Sequence, residues 1–293
     1  MNFEPYLNDA TPWATTPIAD VEPQAADAHR RWTASGAHGS MTYMERYDSV
    51  RSHPQELLPG ARTMLIAAFP YFTTERMLLP FALYARGRDY HEVVRQRLEA
   101  VAAMIPGDCR VCVDTAPLRE RYWAARAGLG FIGRNNQLIV NSLGSYYFLG
   151  TILTTAALPI ECHAPEPSVT DTCGRCRRCL EACPGHALSD GAAVDARRCL
   201  SYLTIEHRGD FPEGTDLHGC LYGCDVCQRV CPHNAVAKPT PIADFHPSEE
   251  LCRLNAETLS RFTAQEFNAL FRHSAVKRTK LSGLLRNLRQ LSK

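Results

Sequence analysis

Nine of the chain's 13 cysteines lie between Cys173 and Cys231. The first run reads Cys173-x2-Cys176-x2-Cys179-x3-Cys183-Pro184, and a shorter one reads Cys224-x2-Cys227-x3-Cys231-Pro232. Thiolates at this spacing hold cubane iron–sulfur clusters. Short loops wrap three of them round one cluster, and the cysteine before proline points away to a second. Exchanging the two pre-proline cysteines puts Cys173, Cys176, Cys179 and Cys231 on one 4Fe-4S cluster. Cys183, Cys224 and Cys227 fall on the other, with either Cys199 or Cys220 as its fourth ligand. A zinc ribbon, built on two Cys-x2-Cys pairs, leaves the third cysteine of each run and both Cys-Pro endings unexplained. A disulfide framework belongs to small exported chains, and MNFEPYLNDATPW shows no basic segment followed by an apolar one. Cys109, Cys112, Cys162 and Cys252 stand outside the pattern and read as small buried hydrophobes.

Two clusters make an electron wire, and a wire needs something at its end. The residues before the cysteines carry the candidates. Asp114 closes a predicted strand, Val111–Val113, ahead of a helix beginning near Pro117. It is either a helix N-cap or a carboxyl presented at a strand end, where sites of sheet proteins gather. The loop Gly128–Asn136 (GLGFIGRNN) permits close backbone approach to a ligand. It follows a helix rather than a strand, so it is not the dinucleotide fingerprint. The histidines read as surface or satisfied core groups. From Leu270 to Lys293 there are seven bases and no acid, whereas residues 1–60 carry eight acids against four bases. The basic end is either a solvated helix face or a footprint for a phosphate backbone.

The positioning elements are legible in outline. The chain has 293 residues, 45% hydrophobic and 22% charged, with net charge +1. That is ordinary globular usage, and it excludes a uniformly basic nucleic-acid binder and an acidic disordered chain. No apolar run reaches the roughly 18 residues of a membrane span, so a cytoplasmic protein is expected. Met64–Phe69 and Tyr146–Thr154 read as buried strands, and His91–Ile105 and Leu118–Ala127 as helices. This alternation predicts an α/β or α+β unit over 1–158. A Pro-rich linker (159–172) opens the cysteine unit, 159–240, and helices over Ala256–Phe271 and Ser282–Leu291 fill 241–293.

Longer blocks carry a resemblance. They include SGAHGSMTYM (Ser35–Met44), YARGRDYH (Tyr84–His91), VDTAPLRER (Val113–Arg121) and ARAGLGFIGRNN (Ala125–Asn136). DARRCLSYLTIEHRG (Asp195–Gly209), YGCDVCQRVCPHN (Tyr222–Asn234) and FRHSAVKRTKLSGLLRN (Phe271–Asn287) continue it. On these blocks the chain resembles the epoxyqueuosine reductases, which use cobalamin and iron–sulfur clusters in the last step of queuosine synthesis in tRNA.

The resemblance implies an α+β fold. A nitroreductase-like cobalamin-binding domain would precede a ferredoxin-like double-cluster domain and basic C-terminal helices, in a short form without HEAT-like repeats. It assigns the eighth thiolate to Cys199 and the proton-donating carboxyl to Asp114. Arg51, Arg134, Asn135, Leu138, Leu149 and Glu206 would line the corrinoid with Asp114. Neither Asp27-Ala28-His29 nor Asp216-Leu217-His218 has the glycine of a cobalamin-binding Asp-x-His-x-x-Gly motif, so a corrinoid would not take its lower ligand from one; the resemblance implies a base-off form. Lys277, Arg278 and Lys280 would meet tRNA carrying epoxyqueuosine. A flavodoxin- or ferredoxin-type protein would donate electrons to a monomer. To donate a proton at neutral pH, Asp114 would need a carboxyl raised by burial. The competing readings are a corrinoid reductase of a small molecule, akin to reductive dehalogenases, and a plain two-cluster electron carrier.

Overall fold

Thr63–Pro70 is the spine of the N-terminal unit, and all 8 of its residues are buried. Its alternate side chains serve two cores. Leu65, Ala67 and Phe69 meet Val94, Leu98 and Val101 on one face. Met64, Ile66 and Ala68 meet Trp123, Ala124, Leu138 and Val140 on the other. A strand covered on both faces needs no polar alternation, which is why this segment reads as one apolar run.

The computed structural model describes residues 3–168, 171–191 and 193–292. Its strands are β1 (Trp13–Pro17), β2 (Thr63–Pro70), β3 (Cys109–Cys112), β4 (Gly130–Ile132), β5 (Leu138–Val140), β6 (Tyr147–Thr154) and β7 (Cys162–His163). Five of them form one sheet in the order β3-β6-β2-β1-β7, and β4 and β5 form a separate hairpin. Among the described residues every pairing between these strands is antiparallel, so the fold is α+β and the strand–helix alternation builds no parallel sheet. Helices α1 (Pro23–Ala34), α2 (Asp48–Ser52), α3 (Tyr90–Ala102) and α4 (Glu120–Arg126) belong to this unit. Single-turn helices α5 (Arg178–Glu181) and α7 (Val226–Arg229) carry cysteines of the two runs, with α6 (Leu200–Ile205) between them. The chain closes with α8 (Glu249–Arg253), α9 (Ala256–Ser260), α10 (Ala264–Phe271) and α11 (Lys280–Leu291). Among the described residues no helix is long and apolar enough to cross a membrane.

Three expectations need correction. The stretch 159–172 is more than a linker: β7 within it pairs with β1 at the sheet edge, where His163 stacks on Trp13 at 4.0 Å between ring centroids. The helix expected over 256–271 is two helices, because Thr263 and Glu266 form a capping box that starts α10 afresh. Asp114 caps nothing, since α4 begins at Glu120 with Arg119 at its N-cap.

The cysteine unit is fastened to its neighbours by backbone and by buried amides. Ala82 N–H donates to the Tyr222 carbonyl (2.9 Å), and Leu221 N–H to that of Pro80 (3.2 Å). Leu79, Phe81, Tyr222, Phe271 and Leu284 then share one core with the C-terminal helices. Gln228 Nε2 donates to the Ser145 carbonyl (2.9 Å), and Asn234 Oδ1 accepts from Ser145 N–H (2.6 Å). Asn287 of α11 is fully buried. Its Nδ2 donates to the carbonyls of Thr204 (2.8 Å) and Leu221 (2.9 Å). Truncation to alanine leaves the Leu221 carbonyl without this donor and the Thr204 carbonyl with only the Thr279 hydroxyl, at 3.1 Å. Asn287→Ala is therefore expected to cost about 2–4 kcal/mol, read as a lower urea midpoint for the C-terminal region. An unchanged midpoint would show that α11 is held by its apolar face alone.

Candidate redox and acid–base site

The thiols of the two runs fall into two groups. Cys173, Cys176 and Cys231 bear electrostatically on Cys179, and Cys173 and Cys176 on Cys231. Cys224 and Cys183 bear on Cys199, and both bear with Cys199, and last Cys179 of the first run, on Cys227. Cys231 thus stands near the first run, and Cys183 near Cys199, Cys224 and Cys227. Cys220 is buried and hydrogen-bonded to Cys224, so both candidates for the eighth thiolate adjoin the second group. Burial pushes the thiols of Cys199, Cys227 and Cys231 up, and neighbouring thiolate charge adds to it. Four thiolates in one place therefore require a cationic partner. Backbone N–H groups already point at sulfur: Arg134 N–H at Cys173 Sγ (3.4 Å) and Ala187 N–H at Cys183 Sγ (3.3 Å). Of the four outlying cysteines only Cys112 is buried, and Cys162 is exposed on β7, against expectation.

The glycine loop forms the β4–β5 hairpin, and Arg134 at its turn clasps the first cysteine run. The guanidinium donates to the carbonyls of Gly174 (2.8 Å) and Cys176 (3.1 Å) and to Asp190 Oδ1 (2.9 Å). Gly130 permits the tight pairing, since a Cβ there would lie 2.0 Å from the Ile139 carbonyl oxygen. Beside this clasp a cavity of about 1880 Å³ opens between the units. Pockets for ordinary small ligands run to roughly 300–1,000 Å³, so this one has room for a macrocycle and a nucleoside.

Arg51, Asp114, Arg134, Glu206, Lys277, Arg278 and Cys173 of the first run all line the cavity. Arg51 Nε is buried with no hydrogen-bond partner among the described residues. Arg278 holds Glu206 through two 2.9 Å bonds. Asn135, Leu138 and Leu149 do not line it. Asn135 is buried and accepts from Gln137 N–H (3.3 Å), while Leu138 and Leu149 belong to the core under the sheet. Lys280 is exposed and also lies off the cavity wall.

Asp114 sits at φ +53°, a left-handed backbone that non-glycine residues rarely adopt. Thr115 N–H reaches back to the Val113 carbonyl (2.5 Å), closing a tight turn centred on Asp114. The turn presents the carboxyl to the cavity, with 59% of the side chain exposed there. Its Oδ2 accepts from Tyr90 OH (2.9 Å) and pairs with His91 Nε2 (3.1 Å). His91 Nδ1 lies 2.6 Å from Asp89 Oδ1, and Asp89 Oδ2 lies 2.7 Å from Lys277 Nζ. Asp89 also caps α3 by accepting from His91 N–H (3.1 Å). Asp114 N–H in turn donates to Glu120 Oε1 (2.9 Å).

These contacts reverse the expectation of a raised Asp114. Burial works to raise its carboxyl, but hydrogen bonds and charge from His91 and Tyr90 hold it below the ordinary value. Burial works against charge on His91 as well, yet the bonds to Asp114 and Asp89 push it up to about 9. Burial and the nearby Asp114 charge push Glu120 up to about 8. At neutral pH the dissociable proton therefore sits on His91 and Glu120, beside an ionised Asp114. Sequence reasoning missed His91, Asp89 and Glu120; the run Asp-Tyr-His at a helix start was the available signal, and its histidine reads as unremarkable when considered alone.

The second thiol group depends on one close approach. A Cβ on Gly185 would lie 1.9 Å from the Arg198 carbonyl oxygen, so any side chain must part the Cys183 loop from the Cys199 segment. Gly185→Ala is expected to lose about half of the bound iron while keeping the first cluster's spectrum. Full iron content would show that the two segments need not touch.

Comparison with known proteins agrees with this geometry. Residues 51–115 match the family model described as epoxyqueuosine reductase QueG, DUF1730, and residues 172–234 match the 4Fe-4S double cluster binding domain. The epoxyqueuosine reductase of Gloeobacter violaceus is 41% identical over 92% of this chain and 87% of its own length. That of Pseudomonas aeruginosa is 39% identical over 92% and 79%. A crystal structure of an epoxyqueuosine reductase with an epoxyqueuosine-modified tRNA-Tyr stem loop superposes with a TM-score of 0.84 at 28% identity. It covers 95% of this chain and 76% of that one. With its double-cluster domain and an antiparallel α+β unit beside it, the chain belongs to the epoxyqueuosine reductase family.

Proposed function

We propose that this enzyme reduces epoxyqueuosine to queuosine at the wobble position of tRNA, with cobalamin and two 4Fe-4S clusters as cofactors. One observation carries the reading: the Cys173 edge of the first thiol group, the strained Asp114 carboxyl and the basic Lys277–Arg278 turn all face one cavity. A tRNA substrate is supported by the related reductase crystallised with a modified stem loop. In this reading 1–158 form the cobalamin-binding catalytic unit, 159–240 hold the clusters and 241–293 contact tRNA.

Cobalamin, once bound and reduced, supplies a strong nucleophile and electron donor. Arg51, with its unpartnered buried Nε, together with Arg134 and Glu206, would hold it, and Asp114 would stand on the substrate side. The thiol groups hold the clusters that relay single electrons from a flavodoxin- or ferredoxin-type donor. The first group reaches the cavity through Cys173. Lys277 and Arg278 at the cavity and the exposed Lys280 nearby offer positive charge to the phosphates of the anticodon loop. A base in a single-stranded loop leaves its stack at little cost.

Asp114 delivers a proton to the epoxide oxygen as the C–O bond opens. The whole change takes up two electrons and two protons, and the oxygen leaves as water. General-acid assistance is typically worth 10²–10⁴-fold. Asp114→Asn is thus expected to retain both cofactors and lose turnover by about that factor, measured as queuosine formed per enzyme under saturating reductant. Full activity in this variant would remove Asp114 from the reaction.

A further inference from the structure

The reading of Asp114 as proton donor, on which this inference rests, meets a difficulty in its own surroundings. A carboxyl held below its usual range carries almost no proton at neutral pH, and something must keep it supplied. The chain Lys277–Asp89–His91–Asp114 runs without a break through contacts of 2.7, 2.6 and 3.1 Å. Both imidazole nitrogens are engaged by carboxylates, the arrangement that a doubly protonated ring requires. We propose that His91 is the proton store of this site: its imidazolium resupplies Asp114, while Asp89, anchored by Lys277, fixes the ring.

Geometry places the other charged groups outside this path. Glu120 faces the backbone N–H of Asp114, not its carboxyl. Tyr90 stacks on the His91 ring at 4.0 Å and donates its hydroxyl to Asp114. Arg121 is turned to the Asn136 carbonyl. On the far side Glu92 lies 3.6 Å from Lys277 Nζ and 3.1 Å from His273 Nδ1, which keeps negative charge behind Asp89. The His91 side chain is 29% exposed, so solvent can recharge it.

The proton moves from His91 Nε2 to the Asp114 carboxyl, and from that carboxyl to the epoxide oxygen as the C–O bond breaks. The ring is left neutral, with its Nδ1–H on Asp89. No electrons pass through this chain; both come from the one-electron carrier by way of the clusters. Because His91 holds its proton below about 9, the rate is flat near neutrality and falls as pH rises through that value. His91 acts through Asp114 and is a positioning and relay residue.

The test is the pH profile of single-turnover reduction by the cofactor-loaded enzyme with a modified stem loop. His91→Gln is expected to lose about 10–100-fold in rate, with substrate KM within about twofold, and to lose the alkaline limb. Added imidazole should restore part of the rate. Asp89→Asn removes one of the bonds that raise His91 and should move the limb to lower pH by about one unit. It serves as the deciding variant should His91→Gln fail to fold. Wild-type rate and profile in His91→Gln, or an unmoved limb in Asp89→Asn, overturns the relay. If Asp114→Asn is inactive at the same time, the proton-donor reading survives that failure. If Asp114→Asn is fully active, both fall together.

Discussion

The attachment of Arg134 to the first cysteine run is the contact on which the rest of this molecule depends. One side chain, at the turn of the β4–β5 hairpin, reaches two carbonyls and an aspartate of the cysteine unit, and its own N–H points at Cys173 sulfur. The hairpin is rooted in the core beneath the sheet through Leu138 and Val140. Together with the bonds from Ser145 to Gln228 and Asn234, this clasp holds the thiols beside the sheet, and the cavity opens next to it. A redox centre and an acid–base group from distant parts of the chain can then serve one substrate atom. This is the positional requirement that proximity catalysis imposes.

The electrostatics of the cavity follow from crowding carboxylates. Asp89, Glu92, Asp114 and Glu120 are gathered on one wall with His91, Tyr90 and Lys277. Such a group cannot be fully ionised in a partly desolvated site, so the protons distribute themselves among its members. Donors decide the outcome. Asp114 receives Tyr90 and His91 and stays charged, whereas Glu120 receives one backbone N–H and keeps its proton.

The double-cluster domain was legible in the sequence because cubane ligation uses runs of cysteines spaced by two or three residues, a pattern local to the chain. The long apolar strands β2 and β6 and helix α3 were legible for the same reason: burial writes itself as a periodic or continuous apolar pattern. What the sequence did not disclose is non-local or conformational. β1 and β7 are short, and only their pairing across the sheet edge defines them. The positive φ of Asp114 leaves no mark on a residue that is equally at home as a helix cap. Asn135 stands between the cavity-lining Arg134 and Asn136 yet is itself buried, and Leu138 and Leu149 pack into the core beneath the sheet. His91 gains its meaning only when Asp89 and Asp114 arrive on either side.

The most direct measurement is a single anaerobic turnover with the intact protein, its clusters reduced, and an epoxyqueuosine-bearing stem loop, followed by mass spectrometry of the digested nucleosides. The account predicts the loss of one oxygen from the modified base, and only when cobalamin is present. An unchanged base with cobalamin bound and reduced would contradict it, and would turn the cavity over to a different substrate.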